Sequence, residues 1–485
     1  MACSLAFLYL FNSCKHKPFP IPSDGNFPDS VAVIFTTKCA TTGCHDAASY
    51  INSDGLRLDS WENLFKGSGH GSVVIPYNTD YSTLLSYINT DSTRGLVAYP
   101  TMPYMRAALS QKEYYTIKNW IAQGAPDKNG NIPFGANPDT RQKIYMALQG
   151  CDLMAVIDGE SKLIMRLFPI GGDINQIESP HNVHVSADGK YAYVAFAKGN
   201  VVQQIDTRID TVVRTISLGD GEGGVVSVHP DSPKVLVADL LNNQLWSTNF
   251  NSLQALRIGP GAFIAPHGIA STPTWDTFFV TAQYGNVVYR YTPGKTPPII
   301  DMLLDTTKPD ATSPAGLYSD PHDIIPSPDH SKLFVTCQNS GEVRVLDAHT
   351  RKVLGVLSVG PYPQELAIST SKQQLYVSCM EDATNPNPGC LGSVRVFDYN
   401  TLQPVTTIYG DFFEPHGLAV DERNKVLYIV SANINTGGPP PHHVTKCGNR
   451  IGWYSIYDLN TLQPINHIRY EATVAPYYAD PRFKQ

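Results

Sequence analysis

From about residue 141 onward, apolar residues recur at every second position in short runs bounded by turn residues, the pattern of strands buried on one or both faces. The runs repeat in units of roughly 40 residues. Each unit offers a first strand opening near Pro-His, a turn such as Ser186-Ala-Asp-Gly189 or Ser327-Pro-Asp-His330, an apolar second strand, and a third strand that often ends in aspartate. The second strands include Tyr193-Val-Ala195, Leu236-Val-Ala238, Phe279-Val-Thr281, Phe334-Val-Thr336, Tyr376-Val-Ser378 and Tyr428-Ile-Val430, and the aspartates are Asp158, Asp206, Asp347, Asp398 and Asp458. Seven units fit residues 141–485, which predicts an all-β seven-bladed propeller. The first unit has three strands, and Thr473-Val-Ala-Pro-Tyr-Tyr-Ala-Asp480 is a strand left over. Placed in the first blade, it closes the ring and removes two sheet edges.

Ahead of residue 141 the apolar spacing becomes helical. Val31, Ile34 and Phe35 share one helix face, and residues 58–65 and 81–88 supply two further short helices. Ser110-Gln-Lys-Glu113 reads as a capping box opening a helix with Tyr114, Ile117, Trp120 and Ile121 inward and Gly124 at its end. Residues 28–128 are therefore expected to form a small all-α domain, with residues 15–27 as a tether and 129–140 as a linker. The run Leu5–Phe11 is too short to span a bilayer and is followed by Cys14, Lys15 and Lys17. Residues 1–14 resemble a bacterial lipoprotein signal, which implies a lipid anchor at Cys14.

Within the helical segment, Cys39-Ala-Thr-Thr-Gly-Cys44-His45 sets two thiols just before an imidazole. Two thiols can take haem vinyl groups as thioethers, and the adjacent ring can then ligate the iron. The other reading of these residues is a Cys39–Cys44 disulfide beside a bystander histidine. The stretch resembles the wide-spaced haem-attachment variant of c-type cytochromes, as do the loop Tyr99-Pro-Thr-Met102-Pro103 and the helix after it. That resemblance implies one covalent haem c, with Cys39 and Cys44 as attachment points and His45 and Met102 as iron ligands. It also implies export to the periplasm or outer membrane.

Net charge is −7 with no basic run, so the phosphate-neutralising surface of a nucleic-acid binder is missing. With the residues before Cys14 removed, Cys14 lipidated and Cys39 and Cys44 bound to haem, the mature chain would keep five thiols, Cys151, Cys337, Cys379, Cys390 and Cys447, an odd number. A Cys390–Cys447 disulfide would join two neighbouring insertions; Cys379–Cys390 is the rival pairing.

Aligning the blades puts His181, His267, His322 and His416 at one position, the entrance of the innermost strand, where the other blades have Gly224, Gln364 and Tyr477. Insertions at 380–392 and 433–452 leave the same face, and the second carries His442 and His443. Six imidazoles could thus converge and bind copper or zinc. Alternatively, Pro-His is a turn former. His184 reads as an ordinary channel histidine, while His229, His330 and His349 fall in turns on the opposite face. Asp323 and Glu365, each just after the aligned position, are the acid/base candidates.

The units resemble the YVTN β-propeller repeat across residues 141–485. With the haem segment, the chain is similar to enzymes that join a cytochrome domain to a propeller. This implies an oxidoreductase in electron transfer, acting on a small molecule or redox partner protein at the histidine-rich mouth. Two alternatives stand beside it: a non-enzymatic docking module that recruits a cytochrome to a partner, and a metal-dependent lyase or lactonase.

Overall fold

The computed structural model describes residues 24–303, 319–431, 447, 452–466, 469–473 and 475–484. Its strands form seven four-stranded antiparallel sheets, whose innermost strands neighbour one another in a closed circle. Those strands are Pro476–Pro481 in blade one, then Pro180–Val185, Val225–Val228, Pro266–Ser271, Pro321–Pro326, Pro363–Ser369 and Pro415–Asp421 in blades two to seven. Blade one draws on both ends of the propeller sequence, because Pro476–Pro481 pairs with Lys143–Leu148 in the register Tyr145 to Asp480 and Ala147 to Tyr478.

Burial follows from position in the blade. Second strands have a blade on either face, and Val426–Ser431 is buried throughout; fourth strands form the rim, and Pro404–Ile408 is largely exposed. The core therefore lies in layers between blades, as where Tyr376, Val394 and Val396 of blade six meet Leu418, Leu427 and Ile429 of blade seven.

The N-terminal segment departs from the all-α expectation. Its α-helices are Asp29–Ile34, Trp61–Leu64, Thr83–Ile88 and Gln111–Ala122, joined by loops. Only the last is long, because Gly67 and Gly71 with positive φ and Pro76 interrupt the chain before the third helix, and Gly95 with positive φ, Pro100 and Pro103 interrupt it after. That last helix carries the capping box of Ser110 and Glu113 and buries Tyr114, Ile117, Trp120 and Ile121. Beyond it Gly124 has φ +95°, where a Cβ would lie 2.5 Å from the Tyr77 ring. These residues share a small core with Phe27, Phe35, Leu64 and Leu85.

The segment is fastened to blades one and seven. Ser72 Oγ donates to the Ile164 carbonyl at 3.0 Å, Asn78 Nδ2 to that of Leu167 at 3.0 Å, and the Glu471 N–H to that of His70 at 3.0 Å. Ile75 joins the core of Leu163 and Tyr470.

Neither expected disulfide is formed. Cys447 bonds Cys151, with Cα atoms 4.5 Å apart, while Cys379 and Cys390 are free. Cys151 lies in the turn after Lys143–Leu148, so the bond crosses the joint between the last blade's insertion and blade one. Cys379 is instead buried at its strand end, where its sulfur accepts the Gly360 N–H at 3.2 Å. Cys14, His442 and His443 lie outside the described residues. Among the described residues no helix is long and apolar enough to cross a membrane.

Candidate functional site at the propeller mouth

A recurring backbone device aims the side chains at the axis. In six blades the residue before the strand-opening proline has positive φ: Ser179, Ala265, Asp320, Tyr362, Glu414 and Ala475, between 42° and 58°. Residues before proline favour extended conformations, so the tertiary fold imposes this turn. In five innermost strands the register then slips just after the proline, between Pro180 and Asn182, Pro266 and Ile269, Pro321 and Ile324, Pro363 and Leu366, and Pro415 and Leu418. Such bulges break the alternation of faces and re-aim a side chain. Here they let two consecutive residues, such as His322 and Asp323, line the axis.

Hydroxyls of the second strands lock this geometry from blade to blade. Thr281 Oγ1 accepts the Gly268 N–H at 2.7 Å and donates to the His322 carbonyl of the next blade at 2.9 Å. Thr336 does the same between Asp323 and Gln364, at 2.9 and 2.8 Å, and Ser378 between Glu365 and His416, at 3.0 and 2.6 Å. Gly268 and Gly417 occupy the bulge position in blades four and seven, where a Cβ would stand 2.5 Å from the His322 carbonyl oxygen and 2.6 Å from that of Tyr477. Blades five and six have Asp323 and Glu365 at that position.

The four aligned histidines do come together. Ring centroids are 5.2 Å apart for His181 and His267, 4.1 Å for His267 and His322, and 5.9 Å for His322 and His416. Tyr477 completes the circle, stacking on His416 at 3.6 Å and bringing its hydroxyl within 3.2 Å of His181 Nε2. All five are buried. Backbone carbonyls hold two of the rings: His267 Nδ1 is 3.2 Å from the His322 carbonyl oxygen and His416 Nδ1 is 3.1 Å from that of Tyr477. Gln364, the aligned residue of blade six, accepts from Gln338 Nε2 at 3.1 Å.

Asp323 and Glu365 meet as a hydrogen-bonded carboxyl pair. Burial pushes Asp323 up from the usual carboxylate range, and burial and then the Asp323 charge push Glu365 well up. Asp323 also accepts the N–H groups of Leu366 at 3.0 Å and Ile324 at 2.8 Å. Glu365 Oε1 lies 3.8 Å from His416 Nδ1. Donor atoms of His322, Glu365 and His416 all fall within 4.8 Å of one another. His184 is apart from the ring, with Nε2 3.3 Å from the Tyr478 hydroxyl and Nδ1 3.5 Å from Asp480. Tyr477 stood in the alignment without a role; the hydroxyl and stacking partners that give it one come from distant strands.

In the N-terminal segment, Cys39 closes a widened helical turn over Phe35–Cys39 and is buried, and burial pushes its thiol up to about 12. Cys39 and Cys44 are both free thiols, not a disulfide. The His45 N–H donates to the Cys39 carbonyl at 3.2 Å, which draws the loop into a ring, and His45 Nδ1 lies 3.0 Å from the Leu56 carbonyl oxygen. Met102 packs on the segment's core, whereas Met105 is 87% exposed.

No protein-family profile matches the chain. Antigen Lp49 of Leptospira interrogans serogroup Icterohaemorrhagiae serovar copenhageni (strain Fiocruz L1-130) is 29% identical over 136 residues, covering 25% of this chain. The chain thus spans 28% of the length of that curated relative. Among solved structures, Kuenenia stuttgartiensis hydrazine synthase superposes with a TM-score of 0.47 and 16% identity over 60% of this chain and 79% of that one. A functionally unknown protein from Desulfotomaculum acetoxidans DSM 771 gives 0.48 and 15% over 69% of this chain and 99% of its own.

Proposed function

We propose that this chain is an exported, lipid-anchored haem c protein and an oxidoreductase, with its substrate site at the propeller mouth. The observation that carries the haem reading is the arrangement of Cys39, Cys44 and His45. Two unpaired thiols flank a tight loop, and the carbonyl of Leu56 at His45 Nδ1 fixes the ring and leaves Nε2 to bind iron. Met102, held by its N–H on the Tyr87 carbonyl at 2.7 Å, is the sixth-ligand candidate. Its loop also exposes Leu96, Tyr99 and Tyr104 at 65, 80 and 60%, an apolar surface suited to packing on a macrocycle. A haem bound there would supply one-electron transfer. At the mouth Glu365 pairs with Asp323 and lies beside His416, and the Tyr477 hydroxyl, held protonated by burial, faces His181. Buried donors on a rigid scaffold also suit a metal-dependent lyase, the second reading.

Expression with a c-type maturation system tests the haem. The product should keep its haem colour through a denaturing gel, and C39S/C44S should lose it. Met102→Ala should convert a low-spin spectrum to one open to added ligands. Haem that leaves on denaturation would sink the thioether assignment.

A further inference from the structure

We propose that His322, His416 and Glu365 hold one divalent transition-metal ion on the propeller axis, through two imidazole nitrogens and one carboxylate oxygen. This deepens the reading of the mouth as a reactive site and is independent of the haem. The three side chains come from adjacent blades five, six and seven, and each is at least nine-tenths buried. Their donor atoms lie within 4.8 Å of one another. Metal bonds of about 2.1 Å place tetrahedral ligand atoms about 3.4 Å apart, so side-chain rotation alone brings the set to bonding distance.

Outer partners already orient the set. Asp323 is hydrogen-bonded to Glu365 and is itself fixed by two backbone N–H groups. His416 is stacked on Tyr477 and held by its carbonyl. The Thr336 and Ser378 relays fix the backbones of all three ligands relative to one another. Removing such outer partners typically costs about 10- to 100-fold in metal affinity. Bulges put Glu365 and the histidines into the channel together, an outcome that simple strand alternation would forbid. The mixed nitrogen and oxygen set, with positions left open, suits zinc or ferrous iron and not a soft cuprous ion. His181 is outside the set, its Nε2 facing the Tyr477 hydroxyl.

Zinc is the probe, because haem contributes none. The full chain, purified, stripped with chelator and dialysed against zinc, should retain about one zinc per chain by elemental analysis. Anomalous diffraction at the zinc edge should place the ion among the three residues. H181A should retain the metal. H322A/H416A should weaken binding by more than the roughly 100-fold that outer partners can cost, and D323N by about 10-fold. If the double variant does not fold, the near-isosteric E365Q, checked by circular dichroism, should lose the metal. Ferrous iron, added anaerobically, should compete with zinc. Zinc absent from the parent, retained in H322A/H416A or E365Q, or placed elsewhere by diffraction overturns the site. C39S/C44S should still bind zinc, and haem is read separately by absorbance, so failure of either assignment leaves the other standing.

Discussion

Glu414 stands just before Pro415-His416, fully buried, with its carboxyl pushed up to about 8 by burial and then by the charge of Glu381. An unfolded glutamate titrates near 4.3. Its folded value is raised, so the folded state binds the extra proton between these values, and stability falls as pH rises from about 4.3 through 8. Glu414→Gln mimics the neutral form. It should leave the melting temperature unchanged at pH 4 and raise it by several degrees at pH 9, since the linkage amounts to at most about 5 kcal/mol. Equal melting of the two proteins across this range would mean the carboxyl is solvated. At this scale the sequence was partly legible. Pro-His recurs in plain view, and Asp323 and Glu365 stand out by following the aligned position, but their hydrogen-bonded meeting across two blades depends on bulges that no local pattern displays.

Among the elements, the strand Pro476–Pro481 does the most for its length. It completes blade one, supplies Tyr477 to the histidine circle and Tyr478 to His184, and precedes Arg482, whose side chain donates to the Gly189 and Pro138 carbonyls. Removing residues 473–485 should expose the edge of Lys143–Leu148, and the truncated protein should aggregate or lose cooperative melting. A soluble product with the parent's melting temperature would contradict this. The helix Gln111–Ala122 was readable from its cap and apolar spacing, because both signals are local. The rest of the N-terminal segment was not, since four- and six-residue helices owe their stability to packing on Phe27, Phe35 and Trp120.

At the scale of the molecule, the Cys151–Cys447 bond spans 296 residues and crosses the joint where the ring closes. The Tyr81 hydroxyl lies 3.2 Å from Cys447 Sγ, so the N-terminal segment packs at the same joint. Linking such distant positions restricts the unfolded chain, and C151A/C447A should lose on the order of 3 kcal/mol. Thermal melts of the oxidised and reduced parent check this independently; coincident melts would show that the bond adds nothing. Mass spectrometry of a non-reduced digest should find the Cys151–Cys447 peptide pair.

The sequence by itself determined the seven blades, because alternation, turns and unit length are short-range and repeat often enough to be unmistakable. It also determined which histidines share a position, since that follows from the repeat alone. Tertiary structure decided the rest. The disulfide pairs a turn in blade one with an insertion in blade seven, and nothing in cysteine spacing encodes which loops become neighbours when a ring closes. The mouth became a circle of four imidazoles and a tyrosine, with a carboxyl pair from adjacent blades, because strained turns and bulges turn consecutive residues toward one axis. Those distortions are held by contacts between blades, and they exist only once the blades have assembled.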